Sequence, residues 1–172
     1  MHIAHLRASD AAPYRELMLH AYVVAADAFT STPDERAAAP ESWWVKRIAD
    51  PEGNALALGA FHESRLVGTV ALDFSAKPKT RHKAHLIGMF VHESARNLGA
   101  GTALVTAALD AARSREGILV VTLTVTEGNH PAIRLYERAG FVAFGTEPIA
   151  IATQSGFKGK VHMSLQIAPV PK

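Results

Sequence analysis

Residues 96–102, Arg96-Asn97-Leu98-Gly99-Ala100-Gly101-Thr102, set two closely spaced glycines behind a basic residue. They follow the apolar run Leu86, Ile87, Gly88, Met89, Phe90 and Val91, and they open an Ala/Leu-rich segment over 103–112. Strand, glycine loop and helix start, in that order, build a pocket for phosphate. Glycine lets the backbone approach a ligand closely. The first amides of the helix have no intrahelical acceptor, and the positive end of the helix dipole favours an anion in front of them. Alone, the stretch also reads as a tight turn before a core helix. A Walker-type loop is unsupported, because the terminal Lys-Ser/Thr is missing. A dinucleotide fold is disfavoured, since the glycines follow a late strand and no acidic residue ends a strand where one is expected.

Other elements must position this loop. Residues 2–7 alternate weakly as a short strand. Residues 11–29 read as a helix capped by Ser9-Asp10, with Leu17, Leu19, Val23, Val24 and Phe29 on a mixed apolar face. Thr30-Ser31-Thr32-Pro33-Asp34 breaks it, and a short helix follows over 41–48. Two apolar runs, 55–62 and 66–74, flank Glu63-Ser64-Arg65 as a hairpin. Residues 83–92 form a strand buried on both faces. The clearest helix spans 98–114 and ends at Gly117. A β-branched strand over 118–126, a short helix over 131–139 and two closing strands, 141–153 and 158–167, complete the chain. The order βααβββαβαββ describes an α/β (α+β) chain with a sheet covered by helices. One domain over 1–168 and a C-terminal tail over 169–172 are expected.

The bulk composition narrows the function. The chain has 172 residues, 48% of them apolar and 20% charged, as in an ordinary globular domain. Its net charge of +2 is too slight to argue for nucleic acid, and the densest basic cluster, over 77–83, reads as a solvated turn. There is no cysteine, which excludes disulfides, thiolate metal sites and cysteine nucleophiles. The histidines are scattered, without an HExxH or an i,i+4 pair, so a metal site has no support. No signal-like or membrane-spanning run appears, and a cytoplasmic enzyme or binding module is expected.

Two segments together resemble the GNAT superfamily of acyl-CoA-dependent N-acetyltransferases. The first is the R/Q-x-x-G-x-G/A pattern, carried by Arg96, Gly99 and Gly101. The second is N-x-x-A-x-x-L-Y-x-x-x-G-F, carried by Asn129, Ala132, Leu135, Tyr136, Gly140 and Phe141. Both lie within residues 86–141, and the element order matches over nearly the full chain. The resemblance implies a mixed, mostly antiparallel sheet of about seven strands, splayed between the fourth and fifth. It implies acetyl-CoA as co-substrate, its pyrophosphate held by the amides of 97–102 and by Arg96. It also implies that the backbone of Met89, Phe90 and Val91 pairs with the pantetheine arm like an added strand. One amide there, that of Met89, would polarise the thioester carbonyl.

Acid and base candidates follow from the same resemblance. Tyr136 matches the usual general acid; filling the face shared with Ile133 and Ala139 is its bland alternative. Asn129 matches the residue that holds pantetheine or the strand bulge, and it also suits a helix cap before Pro131. His85 stands eleven positions before Arg96, where the histone-acetylating branch places a glutamate base. An imidazole can serve as base at neutral pH, although a structural role suits it equally. Strand parity would place His85 on one face with Met89 and Val91. Glu35 lies in the region from which the family builds its acceptor wall; it suits an ammonium-binding or basic role, or a solvated first-turn position. One of Trp43 and Trp44 would join that wall and the other the core. His162 and Met163 are further cleft candidates.

The expected reaction is acetyl transfer from acetyl-CoA to a primary amine by direct attack in a ternary complex. Transfer of a longer acyl group, or a non-catalytic acyl-CoA sensor, are the alternatives. The partners are acetyl-CoA and an amine acceptor, with neither nucleic acid nor membrane. Homodimers are frequent in the family that the chain resembles.

Overall fold

Glu63 and Ser64 both adopt positive φ, 47° and 65°, which gives the two-residue turn whose twist suits paired antiparallel strands. In the computed structural model, which describes residues 1–171, this turn joins β2 (Ala55–His62) to β3 (Arg65–Phe74). β1 (His2–His5) flanks β2, and β4 (Lys83–Val91) flanks β3. β5 (Val120–Thr126), β6 (Val142–Thr153) and β7 (Gly156–Gln166) complete a seven-stranded sheet of order β1-β2-β3-β4-β5-β7-β6. Every neighbouring pair is antiparallel except β4 and β5. Those two pair only through Lys83–Val120, Ala84–Val121 and His85–Thr122, and then separate. The expected split between the fourth and fifth strands is therefore present.

Helices cover both faces. α4 (Ala100–Ser114) and α5 (His130–Arg138) share one core with Leu72, Leu86, Val121, Leu123 and Met163. α1 (Ala11–Val24) and α3 (Glu41–Ile48) share a second core with Ala57, Ala71 and Phe90 on the other face. Leu104 and Trp44 are sealed at the centres of these cores. Truncating a leucine so placed to alanine costs about 2–5 kcal/mol in lost transfer energy and residual cavity. β6 is an edge strand that leaves Val142, Phe144 and Ile149 exposed. No helix among the described residues is long and apolar enough to cross a membrane.

The N-terminal region differs from its sequence reading. The helix expected over 11–29 stops at Val24 and continues as a single 3-10 turn over Ala26–Ala28. Its buried face is Ala11, Tyr14, Leu17, Met18, Ala21 and Tyr22, whereas Val23 and Val24 are exposed. The breaker itself holds a further helix, α2 (Pro33–Ala37). Thr32 caps it, Pro33 takes the first turn, and Glu35 reaches back to the Thr32 amide. That is a capping box, and its T-x-x-E signature was present in the sequence. Of the tail read over 169–172, Lys172 lies outside the described residues; Pro169 to Pro171 carry no regular structure.

Candidate active site

β4 changes face within its length. Leu86 packs in the α4 core and Ile87 in the α1/α3 core, as alternation requires. Met89 and Val91 then return to the α4 side and Phe90 to the α1/α3 side. The extra residue lies at Gly88, with φ +60°, where the register against β3 shifts between Thr69 and Ala71. A β-bulge inserts one residue and resets the parity beyond it. The parity expected for His85 is thereby corrected: it shares its face with Ile87 and Phe90, not with Met89 and Val91.

A cavity of about 360 Å³ occupies the split beyond the last β4–β5 pair. His85 and Met89 line it from β4, Thr124 and Val125 from β5, and Asn129 and Tyr136 from α5. Tyr14, Met18 and Tyr22 line it from α1, Arg36 from α2, Arg47 from α3 and Lys160 from β7. The cavity thus joins the α5 side of the sheet to the α1–α3 side through the split. Phe90 and Val91 contribute no lining side chain; both are packed in the cores.

His85 Nδ1 lies 2.9 Å from Thr122 Oγ1 across the final β4–β5 rung. Burial pushes the imidazole below its ordinary pKa, against a smaller upward pull from Asp73. Tyr136 is buried in the α4 core, edge-on to Phe141 at 5.9 Å. Burial alone raises its phenol well above the usual tyrosine range. Asn129 caps α5 by accepting from the Ala132 amide through Oδ1 at 3.3 Å. Its Nδ2 donates to no described residue, so the cap leaves a donor available in the cavity wall.

The glycine loop ends in α4 as expected, two residues later than the sequence suggested. Asn97 and Gly99 take φ +62° and +80°, and these left-handed turns delay helical geometry until Ala100. No side chain caps α4. The amides of residues 97–102 enter none of the turn, loop or cap hydrogen bonds. A Cβ at Gly99 would meet no atom within 4 Å, and one at Gly101 would meet Leu135 at 3.4 Å and Met89 at 3.6 Å. Unspent helix-terminal amides on an uncrowded loop suit a pyrophosphate. Arg96, Asn97, Leu98 and Gly99 are exposed in that loop, while Ala100 is buried and anchors the turn.

Glu35 is not brought into this cavity. Its Oε2 accepts the Thr32 amide at 2.7 Å, its carboxyl is held below the usual range by that bond, and it is solvated. His162 also lies outside the lining and sits 3.4 Å from Glu147, while Met163 is fully buried. Trp44 is core, as expected of one of the pair; Trp43 packs edge-on to it at 4.9 Å, stacks on the Arg36 guanidinium at 4.2 Å and does not line the cavity. The residues missed were Tyr14, Tyr22, Arg36, Arg47 and Lys160. Tyr14, Met18 and Tyr22 stand at i, i+4 and i+8 of α1, a spacing that marks one face. The histidines are also less scattered than they read: His20 and His92 stack at 4.9 Å, and His20 lies 3.0 Å from Glu93, which ties α1 to the loop before α4.

The family model for the acetyltransferase (GNAT) family matches residues 14–141. An L-amino acid N-acetyltransferase, AaaT, of Escherichia coli K12 is 30% identical over 103 residues, 60% of this chain and 62% of that protein. An N-alpha-acetyltransferase of Sulfurisphaera tokodaii is 39% identical over 64 residues, 37% of this chain and 38% of that one. The chain spans less than two thirds of the length of these curated relatives. Among solved structures, yncA of Salmonella typhimurium, a protein described as an acetyltransferase and determined with its cofactor acetyl-CoA, superposes with a TM-score of 0.83 at 22% identity, covering 100% of this chain and 96% of that one. An Acinetobacter baylyi ADP1 protein described as an acetyltransferase gives a TM-score of 0.84 at 19% identity, covering 99% and 96%. With a family match over most of its length and the same fold, the chain belongs to the acetyltransferase (GNAT) family.

Proposed function

We propose that the protein transfers an acetyl group from acetyl-CoA to a primary amine by direct attack within a ternary complex. The observation that carries this reading is the split in the sheet, which ends at the His85–Thr122 rung and opens into a cavity lined by His85, Met89 and Tyr136. The amides of 97–102 would hold the pyrophosphate, with Arg96 beside them and Asn129 Nδ2 at the pantetheine. Beyond His85 the outer edge of β4 has no strand partner, so the backbone of Met89, Phe90 and Val91 is free to pair with an extended arm. Acetyl-CoA supplies an activated thioester.

His85 would take the proton of the attacking amine. Thr122 Oγ1 can donate to the Ala84 carbonyl at 3.4 Å and accept from His85 Nδ1. That arrangement leaves the lone pair on Nε2, and burial keeps the ring neutral. As the amine nitrogen forms its bond to the carbonyl carbon, the Met89 amide would stabilise the charge on oxygen. The carbon–sulfur bond then breaks, and Tyr136, kept protonated by burial, would give its proton to the departing thiolate. Glu35 has no part in these steps.

The test is release of CoA thiol from acetyl-CoA in the presence of amines. The chain has no cysteine, so a thiol reagent reports CoA alone. Tight acetyl-CoA binding with no thiol release across a broad amine panel would overturn catalysis and leave a sensor. Absence of binding as well would overturn the donor assignment.

A further inference from the structure

The wall opposite the donor loop carries an excess of positive charge, although Glu147 stands across from Lys160 in the β6–β7 register. The charged groups that line the cavity are Arg36, Arg47 and Lys160, with no aspartate or glutamate among the lining residues. Among the described residues, Arg36 and Lys160 form no ion pair, and Arg47 reaches only Asp73, at 3.4 Å. Arg36 is held by stacking rather than by a counterion: its guanidinium lies over Trp43 at 4.2 Å, and its Nε is sealed without a hydrogen-bond partner. Partly buried cations without a carboxylate are costly to keep, which is expected where a ligand supplies the missing charge. Tyr14, Tyr22, Thr30 and Ser31 add hydroxyls to the same wall.

These cations do not belong to the pyrophosphate cradle. α1 and α3 pack on the face of the sheet opposite α4, and no residue of 96–102 lines the cavity. Size adds a second limit. At about 360 Å³ the cavity is near the lower end of ordinary small-molecule pockets, roughly 300–1,000 Å³. Part of that volume must receive the thioester. A polyamine or aminoglycoside would need acidic groups to hold its remaining ammonium groups, and none lines the wall.

We infer that the acceptor is a small primary amine bearing its own carboxylate, of the α-amino acid type, with the carboxylate held by Arg36 and Arg47 and the amine directed to His85. The inference rests on the acetyltransferase reading above. A planar guanidinium fork matches a carboxylate through two parallel hydrogen bonds. Arg36 and Arg47 would thus determine specificity, and Lys160 would add to the attraction from β7.

The experiment compares glycine and the L-amino acids other than cysteine and proline with their carboxamides, alongside spermidine and an uncharged-side-chain tetrapeptide. CoA thiol release is measured with the intact chain and with R36Q and R47Q. The free acids are expected to exceed their amides in kcat/KM by at least about tenfold, through KM, with that advantage collapsing in R36Q while the KM for acetyl-CoA holds. The acid–amide comparison on the unaltered chain decides the matter even if both variants fail to fold. Equal use of acid and amide overturns the inference, as does a preference for spermidine or the tetrapeptide. If acetyl-CoA is bound but nothing is acetylated, calorimetry with the N-acetylated amino acids and their amides tests the wall directly, and equal affinities overturn it. Failure to bind acetyl-CoA sinks the donor reading instead, and the same calorimetry still judges the anion wall.

Discussion

His85 and Thr122 are partners twice over: their backbones form the last rung between β4 and β5, and His85 Nδ1 lies 2.9 Å from Thr122 Oγ1. The strands part immediately beyond them. The pair therefore marks where the sheet opens and leaves Nε2 as the ring nitrogen not engaged by Thr122.

The pH profile of kcat/KM tests this role. In the proposed mechanism neutral His85 is the working form, and burial lowers its pKa. Activity should be full above the ordinary histidine range and fall only as pH drops through the lowered value, since protonation then removes the acceptor on Nε2. In His85→Ala that acidic limb should disappear, and the rate should fall by on the order of 10²–10⁴, the usual contribution of a positioned base. An unchanged limb in a folded variant removes His85 from proton transfer. The same shift bears on stability. The unfolded chain binds the proton more readily than the folded one, so the contribution is intact above the ordinary histidine pKa and is lost as pH falls towards the lowered value.

Tyr136→Phe separates acid catalysis from packing. The ring stays edge-on to Phe141 within the α4 core, and only the hydroxyl is lost. The melting temperature and the KM for acetyl-CoA should hardly move, while kcat should fall by on the order of 10² or more. If kcat is retained, the phenol is merely a core side chain and another group or water protonates the thiolate.

Much of the local structure at the proposed donor loop was legible in the sequence because its signals are local. Gly99 at a left-handed turn, Asn129 as a cap and the Leu135-Tyr136 pair on a short helix each act within a few residues of themselves. The cationic wall was not legible: Arg36, Arg47 and Lys160 come from α2, α3 and β7, and only tertiary packing gathers them. Reading residues 30–34 as a breaker also hid α2, whose Arg36 and not Glu35 lines the cavity. The parity of His85 failed for a different reason. Gly88 interrupts an otherwise regular strand, and an isolated glycine there signals a bulge that strict alternation ignores.

Gly99 offers a test of the loop itself. Its φ of +80° is costly for a residue with a side chain, by about 1–2 kcal/mol. Gly99→Val adds methyl groups to the loop proposed to hold the pyrophosphate and forces a β-branched residue into a left-handed backbone. The fold should persist by circular dichroism, with somewhat lower stability, because no neighbouring atom lies within 4 Å of the new Cβ. Calorimetry should show acetyl-CoA affinity weakened at least about tenfold, some 1.4 kcal/mol. Native affinity in a folded variant would place the pyrophosphate elsewhere.

Glu35 and His85 compete as bases in the sequence, and the structure sets them apart: His85 lines the cavity and Glu35 does not. Glu35 spends one carboxylate oxygen on the Thr32 amide and stands in solvent, outside the cavity lining. Its lowered pKa reflects that hydrogen bond, which is present while the carboxylate is ionised and is lost as pH falls through the lowered value. Glu35→Ala should therefore loosen α2 and lower the melting temperature, more at neutral than at strongly acidic pH. Because α2 carries Arg36, the variant should also raise the acceptor KM as the guanidinium becomes less well positioned. The acidic limb of kcat/KM should stay where His85 sets it. A displaced limb in Glu35→Ala, measured beside His85→Ala, would return Glu35 to the proton path and require α2 to move during turnover.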